Sequence, residues 1–282
     1  MLVKGDSIGL IACSNARPSR YEEKIKNVEG FITALGINIV RAETLLETDE
    51  KTTSAPQARA LELHKLYDNE KIKLIFDISG GDLANQILPF LDFERITAAN
   101  KPFVGLSDLT TVLNAVLQQT NQKNYYFQLM TLAGTKAVEQ QNFFKEYFVE
   151  GHETIIETRG LTDFKEIVGK MYGGNIRCLL KLAGTSFWPE FKGNIILLEG
   201  FSGSYERNAS YIAQLQQLGV FTDCIGIVLG TFTELDQKNT TLIESLILAA
   251  VPDDLPVART SEVGHGDDGK AIVLGHTITI RG

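Results

Sequence analysis

The sequence predicts an α/β fold with a parallel sheet covered by helices on both faces, and three observations lead there. Apolar runs of strand length alternate with stretches of helical periodicity along most of the chain, the pattern that feeds crossover connections between parallel strands. Several of those runs end in Gly, Ser or Asp, residues that suit the turn from a strand into a helix. With 282 residues, 44% of them hydrophobic and 22% charged, the chain has material for two smaller cores rather than one large one. No internal repeat, low-complexity tract or heptad array points elsewhere.

Residues 7–12 read as a buried-type strand ending in the polar loop Ser14-Asn15-Ala16-Arg17-Pro18-Ser19. Helical periodicity over 21–35 stops at Gly36, and 37–40 is a second strand, which gives a βαβ start. The polar stretch 44–55 leads to Pro56, a first-turn proline for a helix to about residue 69. A third strand, 74–78, ends in Ser79-Gly80-Gly81-Asp82. A short helix around 83–88, the segment Pro89-Phe90-Leu91-Asp92 and a helix to about residue 99 precede a fourth apolar run, 102–106, which breaks at Ser107-Asp108 into a helix over 109–118. The pattern loosens from 119 to 139, and a helix over 140–149 closes an expected first domain of residues 1–150. Residues 151–165, polar with a short strand at 154–157, are expected to form a linker. The second domain, 166–282, opens with a strand at 166–172, the turn Gly173-Gly174-Asn175 and a helix to residue 182. A strongly apolar strand over 194–198 ends in Glu199-Gly200. A helix (205–218), a strand (224–229) and a helix (242–250) follow, and the tail carries Gly264-His265-Gly266-Asp267-Asp268-Gly269 before alternating strand material at 271–280.

Composition excludes several classes of function. A formal net charge of −8, with no Lys/Arg run, argues against a nucleic-acid or anionic-membrane partner. Cys13, Cys178 and Cys224 lie far apart, with neither a disulfide framework nor metal-type spacing, and suggest a reducing compartment. Leu10-Ile11-Ala12-Cys13 has the look of a lipoprotein cleavage site, but Asp6 falls in the would-be apolar region and the run is too short, so it reads as the first strand. No stretch approaches the ~20 apolar residues of a membrane span. A cytoplasmic location is expected.

The chemistry converges on strand ends, where open α/β sheets keep their sites. Ser107 follows an apolar strand and opens a helix, which holds its hydroxyl at a sharp turn over free helix N–H groups, as an acyl-transfer nucleophile requires. The plain alternative is an N-cap serine, and Leu109 stands where the usual nucleophile turn has glycine. The loops after the third and fourth strands share an edge, so the N–H groups of Gly81 and Asp108 would make a two-point oxyanion hole; otherwise Gly80-Gly81 is a turn needing positive φ. A hydrolytic serine needs a base and a group to orient that base. His64 and His276 read as packing or surface residues and His152 falls in the linker, whereas His265, between two glycines, suits a loop that approaches another backbone closely. Glu199, directly after a buried strand, is the best-placed acid, with Glu206 and Glu262 in reserve; an isolated glutamate there can also be a charge leaving the core for water.

These residues carry a family resemblance. Lys4-Gly5-Asp6-Ser7-Ile8-Gly9, Gly80-Gly81 through Leu88-Pro89-Phe90-Leu91-Asp92, Gly105-Leu106-Ser107-Asp108-Leu109-Thr110, Gly173-Gly174-Asn175 before a helix closing at Gly184-Thr185, Leu198-Glu199, and Gly264-His265-Gly266 with Leu274-Gly275 resemble the LD-carboxypeptidases, the serine peptidase family that also contains the microcin C immunity peptidases. The resemblance implies Ser107 as nucleophile, His265 as general base and later acid, Glu199 orienting the imidazole, and oxyanion N–H groups from Gly81 and Asp108. It further implies an N-terminal domain like flavodoxin and the class I glutamine amidotransferases, a smaller C-terminal α/β domain, a homodimer, a small peptide substrate, and neither metal nor cofactor. Two substrate classes follow from it: murein tetrapeptides, cut between an L-centre and a terminal D-amino acid, or peptidyl and aminoacyl nucleotide antibiotics. A flavodoxin-like binding module without turnover is the alternative from another class. Cys13 stands where the family commonly has proline, and Gly200-Phe201-Ser202-Gly203-Ser204 follows neither branch closely.

Overall fold

The computed structural model describes residues 1–47, 53–153 and 155–282. Residues 48–52 of the polar stretch and residue 154 of the strand expected at 154–157 therefore lie outside the described residues, and 155–157 carry no strand. Among the described residues two six-stranded sheets carry the fold. The first takes β1 (Ser7–Ile11), β2 (Asn38–Arg41), β3 (Ile72–Asp77), β4 (Phe103–Gly105) and β5 (Asn124–Tyr126) in the order 2-1-3-4-5, all parallel. That is the flavodoxin order, in which the crevice for ligands opens beyond the carboxyl ends of the strands.

The connections are the helices read from the sequence: α1 (Glu22–Ala34), α2 (Pro56–Asp68), α3 (Phe93–Ala99), α4 (Thr110–Thr120) and α5 (Ala137–Phe144). Pro56 occupies the first turn of α2, where its missing N–H costs nothing. Asp92 caps α3 by accepting the Arg95 N–H at 2.9 Å. Alternation along β1 sends Ile8 and Leu10 to one face, with Ile25, Val28 and Ile32 of α1, while Ile11 joins the other face beneath α2 and α4, as period-two side chains must.

The second sheet takes β6 (Arg159–Gly160), β7 (Glu166–Asn175), β8 (Ile195–Gly200), β9 (Gly226–Phe232), β10 (Val257–Arg259) and, after β11 (Ile272–Leu274), β12 (Thr277–Arg281), in the order 12-7-8-9-10-6. Strands 7 to 10 are parallel and the two edges antiparallel. Helices α6 (Ile176–Leu180), α7 (Tyr205–Gln217), α8 (Val220–Asp223), α9 (Thr233–Lys238) and α10 (Thr241–Leu248) supply the connections. The tail expected as one alternating strand splits in two: β12 edges the second sheet, whereas β11 crosses to pair antiparallel with β5 in the first. Gly275, at φ +78°, makes the corner between them. The stretch 119–139, patternless in sequence, holds β5 and a 3-10 turn at Leu129–Ala133, both too short to show periodicity.

The sheets meet along α4, whose residues from Thr110 to Leu117 are all buried, and one apolar cluster runs without a break from α2 and α4 to the strands of the second sheet. Polar contacts fix the register of this seam. Asn114 accepts the Gly173 N–H at 2.8 Å and donates to the Gly173 carbonyl at 2.9 Å, standing in for a neighbouring strand. Gly173 sits at φ +107°, and a Cβ there would lie 2.2 Å from the Leu197 carbonyl oxygen, so the backbone can turn from β7 into α6 against α4 only as glycine.

Candidate active site

The carboxyl ends of β3, β4, β8 and β10 bring the sequence-predicted residues to one crevice. Ser107 leaves β4 at φ +64°. Asn100 and Asn121, the other two non-glycine residues at positive φ among those described, close helices α3 and α4, where asparagine is at home. Ser107 has no such excuse, and left-handed backbone costs an L-residue roughly 1–2 kcal/mol. Its hydroxyl caps nothing: among the described residues Ser107 Oγ has no hydrogen-bond partner. A strained turn holding an unoccupied hydroxyl differs from the N-cap serine that the tetrapeptide alone allows.

The Ser107 N–H is occupied, donating to the Tyr126 hydroxyl at 3.1 Å. That hydroxyl donates in turn to Glu199 Oε1 at 2.7 Å, and Asn175 Nδ2 donates to the same oxygen at 2.9 Å. The other oxygen, Oε2, lies 2.6 Å from His265 Nδ1. Glu199 is wholly buried at the end of β8, while the His265 side chain keeps 14% exposure. Burial and the Glu199 charge push the Tyr126 phenol well above its ordinary range, so it is a fixed donor at physiological pH.

Glycine lets the imidazole reach the carboxylate. Gly264 stands at φ +133°, and a Cβ there would fall 2.2 Å from Thr231 Oγ1 and 3.2 Å from Glu199 Oε2. The same Thr231 hydroxyl accepts the His265 N–H at 3.2 Å. Phe201, 56% exposed, lays its ring against the imidazole with centroids 4.9 Å apart. Leu106, just before the serine, shares a cleft with Gly264 and Gly266, on either side of the histidine. No hydrogen bond joins Ser107 Oγ to His265 among the described residues, and catalytic hydrogen bonds often tighten only around substrate.

The other predicted pair sits on the loop beside the serine. Gly81, at φ +126°, would drive a Cβ to 2.1 Å from Asn15 Oδ1. Asn15 Oδ1 also accepts the Asp82 N–H at 3.0 Å, so the first loop shapes the Gly80-Gly81 turn. Among the described residues the N–H groups of Gly81 and Asp108 find no acceptor. The Asp108 carboxylate is fully buried and satisfied by Ser14 Oγ at 2.7 Å, the Ala84 N–H at 2.8 Å and Lys181 Nζ at 2.5 Å. Arg177 and Lys181, both from the α6 side of the seam, hold the loop from above: Arg177 bonds the Gly81 carbonyl at 3.1 Å and pairs with Asp82, and Lys181 bonds the Asp82 carbonyl at 3.0 Å.

The reserve residues lie elsewhere. Glu206 is exposed in the first turn of α7, and Glu262 accepts from Lys270 and from the Glu157 N–H. His64 is buried and accepts the Asp92 N–H at 3.0 Å, while His152 and His276 are exposed. The three cysteines are free and buried, and burial raises each thiol, Cys178 to about 12, which keeps all of them protonated and poor nucleophiles at neutral pH. No group of three or more His, Cys, Asp or Glu among the described residues has metal-holding geometry, and no helix among them is long and apolar enough to cross a membrane.

Sequence reasoning misses Tyr126, Asn175, Ser14, Asn15, Thr231, Arg177 and Lys181. Of these, only Asn175 carried a signal, as the polar end of Gly173-Gly174-Asn175.

Comparison with known proteins gives one answer along the chain. Residues 8–127 match the LD-carboxypeptidase N-terminal domain and residues 168–280 the LD-carboxypeptidase C-terminal domain. Among curated relatives, a probable murein peptide carboxypeptidase of Bacillus subtilis is 24% identical over 97% of this chain and 88% of its own length. The microcin C7 self-immunity protein MccF of Escherichia coli is 23% identical over 99% of this chain and 91% of its own. Among solved structures, an MccF-like protein from Bacillus anthracis superposes with a TM-score of 0.87 at 23% identity, covering 99% of this chain and 94% of that one. With both domains matched in order over most of its length, the chain belongs to the LD-carboxypeptidase family of serine peptidases.

Proposed function

We propose that the protein is a serine carboxypeptidase that hydrolyses the bond between an L-centre and a terminal D-amino acid in murein tetrapeptides, with Ser107, His265 and Glu199 as its triad. One observation carries the reading. A buried carboxylate on one sheet grips a histidine at 2.6 Å and is tied through one phenol to the backbone of a serine on the other sheet, and that serine holds a free hydroxyl on a strained turn.

In this mechanism Ser107 Oγ attacks the carbonyl carbon of the L–D bond while His265 Nε2 takes its proton. Glu199 keeps the other imidazole proton on Nδ1 and stabilises the imidazolium. The oxyanion accepts from the N–H groups of Gly81 and Asp108, both without competing acceptors; the Ser107 N–H, spent on Tyr126, is excluded from this role. The imidazolium then protonates the departing amine of the D-amino acid, leaving an acyl-serine. Water, deprotonated by His265, attacks that ester, and collapse of the second tetrahedral adduct frees the shortened peptide and restores the serine.

The site belongs to two units, residues 1–150 with the nucleophile and 166–282 with the acid and base, joined by 151–165. The Asn114–Gly173 bonds and the return of β11 to the first sheet support a fixed seam between them. Three cysteines without a disulfide fit a cytoplasmic enzyme. A homodimer, expected from the family, is tested by light scattering.

The substrate test is direct. Purified protein is given a murein tetrapeptide ending in D-alanine and, separately, an aminoacyl sulfamoyl adenosine. Release of D-alanine with kcat/KM far above any turnover of the nucleoside is the expected result. Preference for the nucleoside moves the protein to the immunity branch, and turnover of neither, together with no labelling by a fluorophosphonate, leaves a binding module.

A further inference from the structure

We propose that Tyr126 is a positioning residue that holds Glu199 in its productive state and couples the nucleophile turn to the acid across the domain seam; this rests on the triad reading above. Tyr126 belongs to neither loop that carries the triad, yet it touches both. In the first sheet its strand lies between β4, which leads into Ser107, and β11, which follows the His265 loop; Tyr126 itself is opposite Gly105 on one side and Ile272 on the other. Its ring is fully buried, and its hydroxyl has two assignments: it accepts the Ser107 N–H at 3.1 Å and donates to Glu199 Oε1 at 2.7 Å.

The ring's place is built in from the other side. Gly174, at φ +133°, would put a Cβ 2.7 Å from both Tyr126 Cε2 and Thr110 Oγ1, so the second domain leaves out a side chain where Tyr126 crosses. With Tyr126 and Asn175 both donating to Oε1, Oε2 is reserved for the imidazole. The phenol, raised by burial and by Glu199, stays a donor through the working pH range.

Two effects of removing the hydroxyl follow. The Glu199 carboxylate, short of one of its two Oε1 donors, is freer to turn out of line with His265 Nδ1, so the imidazole is held less firmly in the orientation that accepts the Ser107 proton. That costs turnover without touching substrate binding. The Ser107 N–H is orphaned at the same time, which loosens the strained turn.

The test is a double-mutant cycle on the full chain with the D-alanine-terminated tetrapeptide, using Tyr126→Phe, Glu199→Gln and the pair. Tyr126→Phe is expected to lower kcat about 10- to 100-fold, the loss of a hydrogen bond to a charged group, with KM nearly unchanged. In the Glu199→Gln background the same change should cost much less, only the share that comes from the orphaned Ser107 N–H. Full additivity, or a kcat near wild type, overturns the proposal. A Glu199→Gln enzyme with normal kcat overturns the triad reading instead, so the two failures are distinct. Should Tyr126→Phe not fold, global replacement of tyrosine by 3-fluorotyrosine, whose more acidic hydroxyl is a stronger donor, is expected to change kcat in the wild-type background and not in Glu199→Gln, and equal effects in the two backgrounds overturn the proposal.

Discussion

Replacing Glu199 by glutamine changes one oxygen for an amide nitrogen, and the hydrogen-bond pattern dictates which one. Tyr126 and Asn175 both donate to Oε1, so the amide oxygen of Glu199→Gln must stay there and the NH2 group must face His265 Nδ1, 2.6 Å away in the parent protein. An NH2 donor makes Nδ1 an acceptor, which moves the imidazole proton to Nε2, the atom that in the proposed triad receives the Ser107 proton. The variant keeps its geometry and holds the wrong tautomer. The corresponding acid-to-amide change in a Ser-His-Asp enzyme costs about 10⁴ in kcat, equivalent to roughly 5.5 kcal/mol of transition-state stabilisation. A loss on that order is expected here, with KM within a few-fold because Glu199 is buried behind His265 and touches no substrate. Steady-state kinetics on the D-alanine-terminated tetrapeptide, with circular dichroism to verify folding, measures it. A kcat within tenfold of wild type would refute the tautomer argument and with it the choice of Glu199; a crippled Glu206 or Glu262 variant would then identify another acid.

Three further outcomes test the same physics elsewhere. Ser107→Gly abolishes hydrolysis yet leaves a protein at least as stable as wild type, gaining up to about 1 kcal/mol from relief of the φ +64° backbone; a large drop in the urea midpoint would show that the hydroxyl has a structural duty. Gly174→Ala, forced against Tyr126 and Thr110, loses roughly 1–3 kcal/mol in urea melts and lowers kcat, whereas wild-type behaviour would mean the seam is loose. The third concerns acid. His64 is lowered from its ordinary pKa, first by burial and then by Arg95, against the opposing pull of Asp92 and Asp68, and its Nε2 accepts a backbone N–H. The native state thus binds that proton less readily than the unfolded chain, so stability falls as pH drops from neutrality through the histidine range. His64→Gln, which keeps an acceptor for the Asp92 N–H, flattens that part of the Tm-against-pH curve, and an unchanged slope would assign the acid sensitivity to other groups.

Much of this architecture is legible in the sequence because buried parallel strands are continuous apolar runs bounded by turn residues. The runs ending at Ser79, Ser107 and Glu199 are of that kind, and strand ends are where sheet chemistry collects. Glycine also leaves a visible mark: Gly81, the pair at 173–174 and the glycines around His265 stand where positive φ or close approach requires them. What stays hidden has long-range causes. Tyr126 lies on a three-residue strand, too short for periodicity, and its partner Glu199 is 73 residues away. Ser14 and Asn15 look like any polar loop until the Gly80-Gly81 turn and Asp108 fold onto them. The division of the tail between two sheets depends on β5, which no local pattern announces.

The central claim is that Ser107 forms a covalent acyl intermediate, and intact-protein and peptide mass spectrometry tests it most directly. After incubation with a fluorophosphonate, the account predicts one adduct per chain, on the peptide containing Ser107, with activity lost in proportion and with no adduct in Ser107→Ala. Inactivation with the Ser107 peptide unmodified, or full tetrapeptide turnover by Ser107→Ala, would contradict it.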